Sequence, residues 1–335
     1  MSLAVRAWIL ATLVIAAIGC VQAQTTVQHA FLWSSSTGMV DLGTLGSNSY
    51  AAAINNSSQV AGAYVNGLGN YRAFLWTSSG GMQDLGTLGG TSSGANGINS
   101  KGEVVGWATT AAGDAHAFLW SATGGMKDLG TLGGTSSTAT GINDLGWVTG
   151  SASTSGNLKT VAFFWAPNVP MHGLGTLGSR YSFGYGISVA GTVLGASPLN
   201  KALSLSHAFI HRVGGRMMDL GTLGGNNSNA IAVNAAEQVV GWSWLAGNSP
   251  SHAFVWTKGT GMQDLGTLGG QNSAGEAINR SGQIAGFSDL SQNETHAVLW
   301  TGSNQMQDLG TLGGTYATAT GINDLGQVVG WSSLP

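Results

Sequence analysis

From residue 28 onward, apolar residues come in runs of four or five, broken by glycine, serine, threonine and asparagine, and nowhere recur at helical spacing. Ala-Phe-Leu-Trp at 30–33 and Gln-Val-Val-Gly-Trp at 238–242 are representative. Runs of that length between turn residues predict short strands, and near-continuous apolar character predicts strands buried on both faces.

The runs belong to one unit written seven times. Asp-Leu-Gly recurs at Asp41, Asp84, Asp128, Asp219, Asp264 and Asp308, with a degenerate copy at Gly173, at successive spacings of 43, 44, 45, 46, 45 and 44 residues. Twelve residues before each copy stands His29, His116, His207, His252 or His296, with Arg72 and Val161 as the exceptions. Fourteen or fifteen residues after it comes Asn55, Asn99, Asn143, Asn234, Asn279 or Asn323, with Ser188 in the odd repeat. Self-similarity at this period signals a solenoid, a propeller or an array.

The third unit predicts four strands: 140–143, 147–150, 161–165 and 171–177. Five residues separate Trp165 from Met171 and their equivalents in every copy, a fixed hairpin length. Length varies instead in the segment before the histidine, which places the variable loops on one face, the usual place for binding. Four strands per unit of this size predict a β-propeller blade. The chain opens on the last two strands of a unit and closes on the first two. Joined, the halves make a seventh blade, whereas an open array would leave two exposed edges. The fold class read from sequence is therefore all-β, a seven-bladed propeller of four-stranded blades, closed by N- and C-terminal strands sharing one blade.

The strings His-Ala-Phe-Leu-Trp, Met-Gln-Asp-Leu-Gly-Thr-Leu-Gly-Gly and Gly-Ile-Asn-x-x-Gly-Gln-Val-Val-Gly resemble the bacterial HAF-type extracellular repeat family, over essentially all of residues 29–331. The resemblance implies an exported bacterial protein and supplies neither an activity nor catalytic residues.

Composition narrows the classes. Charged residues are 7% of the chain and glycine 55 of 335, against roughly 25% and 7% in ordinary domains. A 43% hydrophobic content excludes a disordered chain, and 5 prolines without a three-residue glycine period exclude collagen. A net charge of −3 excludes a nucleic-acid surface. One cysteine excludes a disulfide framework and any cysteine-built zinc site. Residues 1–23 read as a signal peptide, one positive charge before an apolar run too short to span a membrane. Cleavage after Ala23 leaves a single domain, 24–335, with no transmembrane segment. The rival reading takes Ala17-Ile18-Gly19-Cys20 as a lipobox with Cys20 lipidated.

Candidate chemistry is sparse. Pairing Trp120 with Met126 would set His116 and Asp128 as diagonal neighbours on one face. Each repeat's His, Asp and following Asn are therefore expected to form one hydrogen-bonded cluster stapling a blade to the next. The remaining acids, Asp114, Asp144, Asp289, Asp324, Glu103, Glu237, Glu276 and Glu294, are read mostly as turn or variable-loop residues, with no pair at glycosidase spacing. Nucleophile-elbow, zincin and Walker motifs are absent, and no cofactor or metal is expected. Aromatic excess marks Arg180, Tyr181, Phe183, Tyr185 and, in a variable loop, Trp244 as the candidate ligand-binding patch. The function read from sequence is a monomeric, exported, non-catalytic binding or scaffold module with a protein or polysaccharide partner. The competing class is a secreted carbohydrate-active enzyme.

Overall fold

The computed structural model describes residues 26–291, 294–302 and 305–335. The signal-peptide reading and Cys20 lie outside these residues. The described chain is all-β, with 28 strands and one short 3-10 turn at Ser155–Asn157. No helix among the described residues is long and apolar enough to cross a membrane.

Consecutive strands pair antiparallel in sets of four, as in Ser49–Ile54, Val60–Val65, Tyr71–Thr77 and Gly81–Asp84. Two such sets are linked into an eight-stranded path by one parallel pair, Ser206 with Asn227. One set draws on both chain ends, with Gln28–Ser34 lying antiparallel against Val328–Ser333 from the Gln28–Ser333 to the Trp33–Val328 pair. In the third unit the strands are Gly133–Ile142, Val148–Thr154, Thr160–Ala166 and Val169–Gly173. The last ends four residues before the expected boundary, because Leu174 to Leu177 leave the ladder to reach the next set.

The core lies between sheets. Phe31, Phe74, Phe118, Phe163, Phe209 and Phe254 are fully buried, each worth about 2–3 kcal/mol of transfer free energy. Ala61, Ala73 and Leu75 of one sheet pack with Val104, Phe118 and Trp120 of the next. Within each sheet a glycine keeps the second strand tight against the inner one: a Cβ on Gly286 would run into the Ala274 carbonyl oxygen, and one on Gly241 into that of Asn229.

The single His–Asp–Asn cluster expected from sequence is corrected to two separate arrangements at opposite ends of each sheet. Met126 pairs with Trp120, and His116 Nδ1 lies 2.8 Å from Asp128 Oδ2. The equivalent His29–Asp41 contact is 2.7 Å, and His207, His252 and His296 meet Asp219, Asp264 and Asp308 at 2.8–2.9 Å. The other aspartate oxygen caps the following turn, as where Gly130 N–H donates to Asp128 Oδ1 at 2.7 Å. Both partners sit on one hairpin, so the pair holds a sheet's outer strand and does not reach the next sheet. Where Arg72 replaces histidine it grips Asp84 with two 2.9 Å hydrogen bonds, and Tyr64 donates a third at 2.7 Å. Burial pushes the Asp84 carboxyl up, but these donors outweigh it and hold the group below its ordinary value.

The asparagines close the inner turn at the other end. Asn279 Oδ1 accepts from Gln283 N–H, while Nδ2 donates to Gln283 Oε1 and to the Asn323 carbonyl at 3.1 Å. That uses both amide protons, so none remains for a histidine or aspartate. The same intersheet bond links Asn234 to Asn279, Asn323 to Asn55, Asn55 to Asn99, Asn99 to Asn143 and Asn143 to Ser188. A second staple was not foreseen. Buried Ser273 Oγ accepts from Ala253 N–H of the preceding sheet at 2.9 Å and donates to the Gly266 carbonyl at 2.6 Å. Ser49, Ser93, Ser137, Ser182 and Ser228 repeat it.

Candidate functional site

The innermost strand of every unit carries a β-bulge at the same place. In one, Gly275 pairs with Gly286 and Ala277 with Ala285, leaving Glu276 without a partner. The register shifts at the same position in the other six. A bulge re-aims its unpaired side chain, and the seven residues concerned, Ala52, Asn96, Thr140, Tyr185, Ile231, Glu276 and Thr320, all line one cavity of about 450 Å³. A shallower recess of about 200 Å³ adjoins it, bounded by the asparagine turns. Ile54, Ile98, Ile142, Ile187, Val233, Ile278 and Ile322 border both spaces, an aliphatic collar between them. Above the collar, Arg280 lies 3.4 Å from Asp324 and 3.9 Å from Asp144.

The polar bulge residues differ in one chemical respect. Asn96 Nδ2 donates to the Ala139 carbonyl at 2.7 Å, Thr140 Oγ1 to that of Gly184 at 2.7 Å, and Thr320 Oγ1 to that of Ala51 at 2.8 Å. Each bond reaches the next inner strand. An ionised carboxylate has no proton to offer a carbonyl, and Glu276 makes no hydrogen bond to any described residue. Burial pushes its carboxyl up from 4.5 to about 7. Burial likewise raises Tyr185 to about 12, opposed by a hydrogen bond from the Asn229 side chain and reinforced by the Glu276 charge. Tyr316 is pushed well above its ordinary value by burial, with the Glu276 and Asp289 charges adding to it.

The lining is lopsided. Ala51, Ala53, Ala95, Gly97 and Gly141 give one part of the wall small side chains, while Tyr185, Trp242, Phe287 and Trp331 supply rings to the other, with Tyr50 edge-on to Trp331 at 5.6 Å. Asn229, only 6% exposed, also lines the cavity, and its Oδ1 is buried without a hydrogen-bond partner. The Tyr316 hydroxyl is unpartnered too, its ring stacked 4.9 Å from that of Trp331.

Of the five residues assigned to a ligand patch from sequence, only Tyr185 lines this cavity, turned there by the bulge between Gly184 and Gly186. Arg180 is exposed, Tyr181 bridges Thr160, and Phe183 pairs with Ala196 within the ladder. Trp244 lies in the strand Val239–Leu245 opposite Ser251 and not in a loop. The patch is therefore corrected: strand pairing separates what sequence proximity suggested. Asp289 and Glu294 likewise sit on strands, and Asp289 is tied by Thr295 and Asn272. Glu276, read as one of the scattered acids, is the one carboxylate in the cavity lining. Its signal was available in the register: three residues before each Ile-Asn asparagine stands the bulge residue, and only this copy is acidic.

No protein-family model matches the chain, and no curated protein is similar to it. Solved structures are. The β-propeller domain of the trilobed protease from Pyrococcus furiosus matches with a TM-score of 0.56 at 9% identity, over 82% of this chain and 88% of that one. A putative TolB from Agrobacterium tumefaciens matches at 0.51 and 10% identity, over 92% and 99%. The Pyrococcus horikoshii acylaminoacyl peptidase matches at 0.53 and 10% identity, over 83% of this chain but only 50% of its own. The fold is that of the β-propellers, shared by a peptidase and a TolB-like protein alike.

Proposed function

We propose that residues 24–335 form one closed ring of seven four-stranded blades, a HAF-type repeat protein that works outside the cytoplasm as a monomeric binding module, making and breaking no bond. Closure draws support from the shared sheet of the two chain ends and from the bond between Asn323 and Asn55, which continues the asparagine series from the C-terminal sheet to the N-terminal one. Deleting residues 26–45 removes half of that sheet; a broad melt at lower temperature is expected, and an unchanged melt refutes the ring.

The binding reading rests on one observation, a cavity of ligand size with a single carboxylate in its lining. Its volume lies in the usual range for small-molecule sites, or for one terminal unit of a protein or polysaccharide. Glycoside hydrolysis generally needs two carboxyl groups within about 5–10 Å, one acid and one base or nucleophile. The assay incubates the full mature chain with a polysaccharide panel, reading retention by affinity electrophoresis and new reducing ends by product analysis. Retention without new ends is expected. Turnover abolished by replacing one acid refutes a non-catalytic role. Export, with Gln24 or a lipidated Cys20 as the new N-terminus, is settled by the intact mass of the secreted protein.

A further inference from the structure

Two acceptors in the cavity lining lack a donor. Glu276 is a carboxylate without a hydrogen-bonded donor, and Asn229 Oδ1 is a buried acceptor without one. No lysine or arginine lines the cavity to answer them. Leaving a buried acceptor such as Asn229 Oδ1 unpaired costs about 1–3 kcal/mol, and a ligand that brings N–H donors and positive charge answers both it and the part-buried Glu276 carboxylate. An anionic ligand would face the carboxylate. A hard divalent cation wants six to eight oxygen ligands, and this wall is aromatic. Aromatic faces do attract organic cations, and Tyr185, Trp242, Phe287 and Trp331 stand on the same side of the lining as Glu276.

We propose that the central cavity seats a protonated amine, its ammonium held by the Glu276 carboxylate with Asn229 Oδ1 as second acceptor and its apolar portion among these rings. The inference deepens the binding reading above and rests on it. Other titratable groups near Glu276 are Tyr185, Tyr316 and, beyond Tyr316, Asp289, and Tyr50 lines the same cavity. Arg280, Asp144 and Asp324 border the recess on the other side of the collar. Burial raises all three tyrosines, so they stay neutral through the range tested below.

Benzylamine and benzyl alcohol are nearly the same shape and differ in charge, so calorimetric titration of the full mature chain with each isolates the ammonium. At pH 8 benzylamine is expected to bind at least tenfold more tightly than benzyl alcohol. The preference should shrink several-fold at pH 5.5, where Glu276 is protonated, and vanish in Glu276→Gln. The pH arm uses the native chain, so the outcome stands even if the variant misfolds. Glucosamine against N-acetylglucosamine separates sources: a matching preference assigns an amino-sugar unit, and its absence beside a benzylamine preference assigns a free amine. Equal binding of amine and alcohol, binding of neither, or a preference that survives in Glu276→Gln overturns the inference. Those results leave the reducing-end assay untouched, so failure here is distinct from failure of the binding reading.

Discussion

Replacing Glu276 with glutamine should make the protein more stable at neutral pH, and the gain should disappear in acid. A carboxyl held near 7 in the folded chain and at 4.5 unfolded carries a penalty only when ionised. The folded state then binds the proton more tightly than the unfolded state, so stability falls as pH rises from about 4.5 to about 7 and levels off beyond. Taken at face value the displacement corresponds to about 3 kcal/mol. The side chain is partly exposed and lines a cavity wide enough for solvent, which reduces the figure to about 2 kcal/mol. Glutamine keeps the shape, removes the charge and supplies the amide donor that Asn96 offers to the next strand. Urea unfolding of both chains from pH 4 to 8.5 reads the effect. The difference between them cancels every pH effect common to both chains. A gap near zero at pH 4, opening to about 2 kcal/mol above pH 7, or about 3 °C in Tm for a chain of this size, is expected. A pH-independent gap, or a variant less stable at pH 8, would mean that Glu276 is solvated or paired and that the cavity is not the low-dielectric space described.

Four further outcomes follow from the staples and close contacts. Asn279→Ala leaves the Asn323 carbonyl and the Gln283 N–H without their partners and should cost about 1–3 kcal/mol in urea unfolding; a loss under about 0.5 kcal/mol, typical of surface sites, refutes the staple. Ser273→Ala unpairs the buried Ala253 N–H and should cost about as much, whereas His252→Ala, on a half-exposed pair, should cost less than about 1 kcal/mol; the reverse order refutes the assignment of intersheet coupling to serine. Gly286→Ala drives a methyl into the Ala274 carbonyl and should lower stability by more than about 2 kcal/mol or abolish soluble expression. Asp84→Asn weakens the Arg72 grip; because that carboxyl is held below its ordinary value, the native pair stabilises above about pH 4 and the variant's deficit should fade as the solution is acidified through the folded-state titration.

The repeat was legible because strands of one apolar register recur with a fixed hairpin length, and this gave the four-strand units and the split unit at the chain ends. The His116–Asp128 contact followed from the Trp120–Met126 pairing for the same reason: neighbours across a tight hairpin are fixed by counting. Asn143 was misjudged because fifteen residues after Asp128 the chain has crossed to the inner strand and run its length, and spacing alone does not say at which end it arrives. Ser137 gives no local signal in the sequence, since its burial depends on a neighbouring sheet that local pattern cannot place. The bulge is the deepest omission. A single unpaired residue leaves apolar alternation almost unchanged, yet it decides that Tyr185 and Glu276 face the cavity while Phe183 stays in the ladder.

The seven bulges give the scaffold an unusual division of labour. A residue at the bulge carries no ladder bond of its own, and each repeat offers one such position at the same depth. Alanine, asparagine, threonine, tyrosine, isoleucine and glutamate already occupy them on nearly identical blades. The scaffold thus resembles a socket with seven pins, where duplication supplies the frame and a point change in any copy redraws the chemistry of its wall.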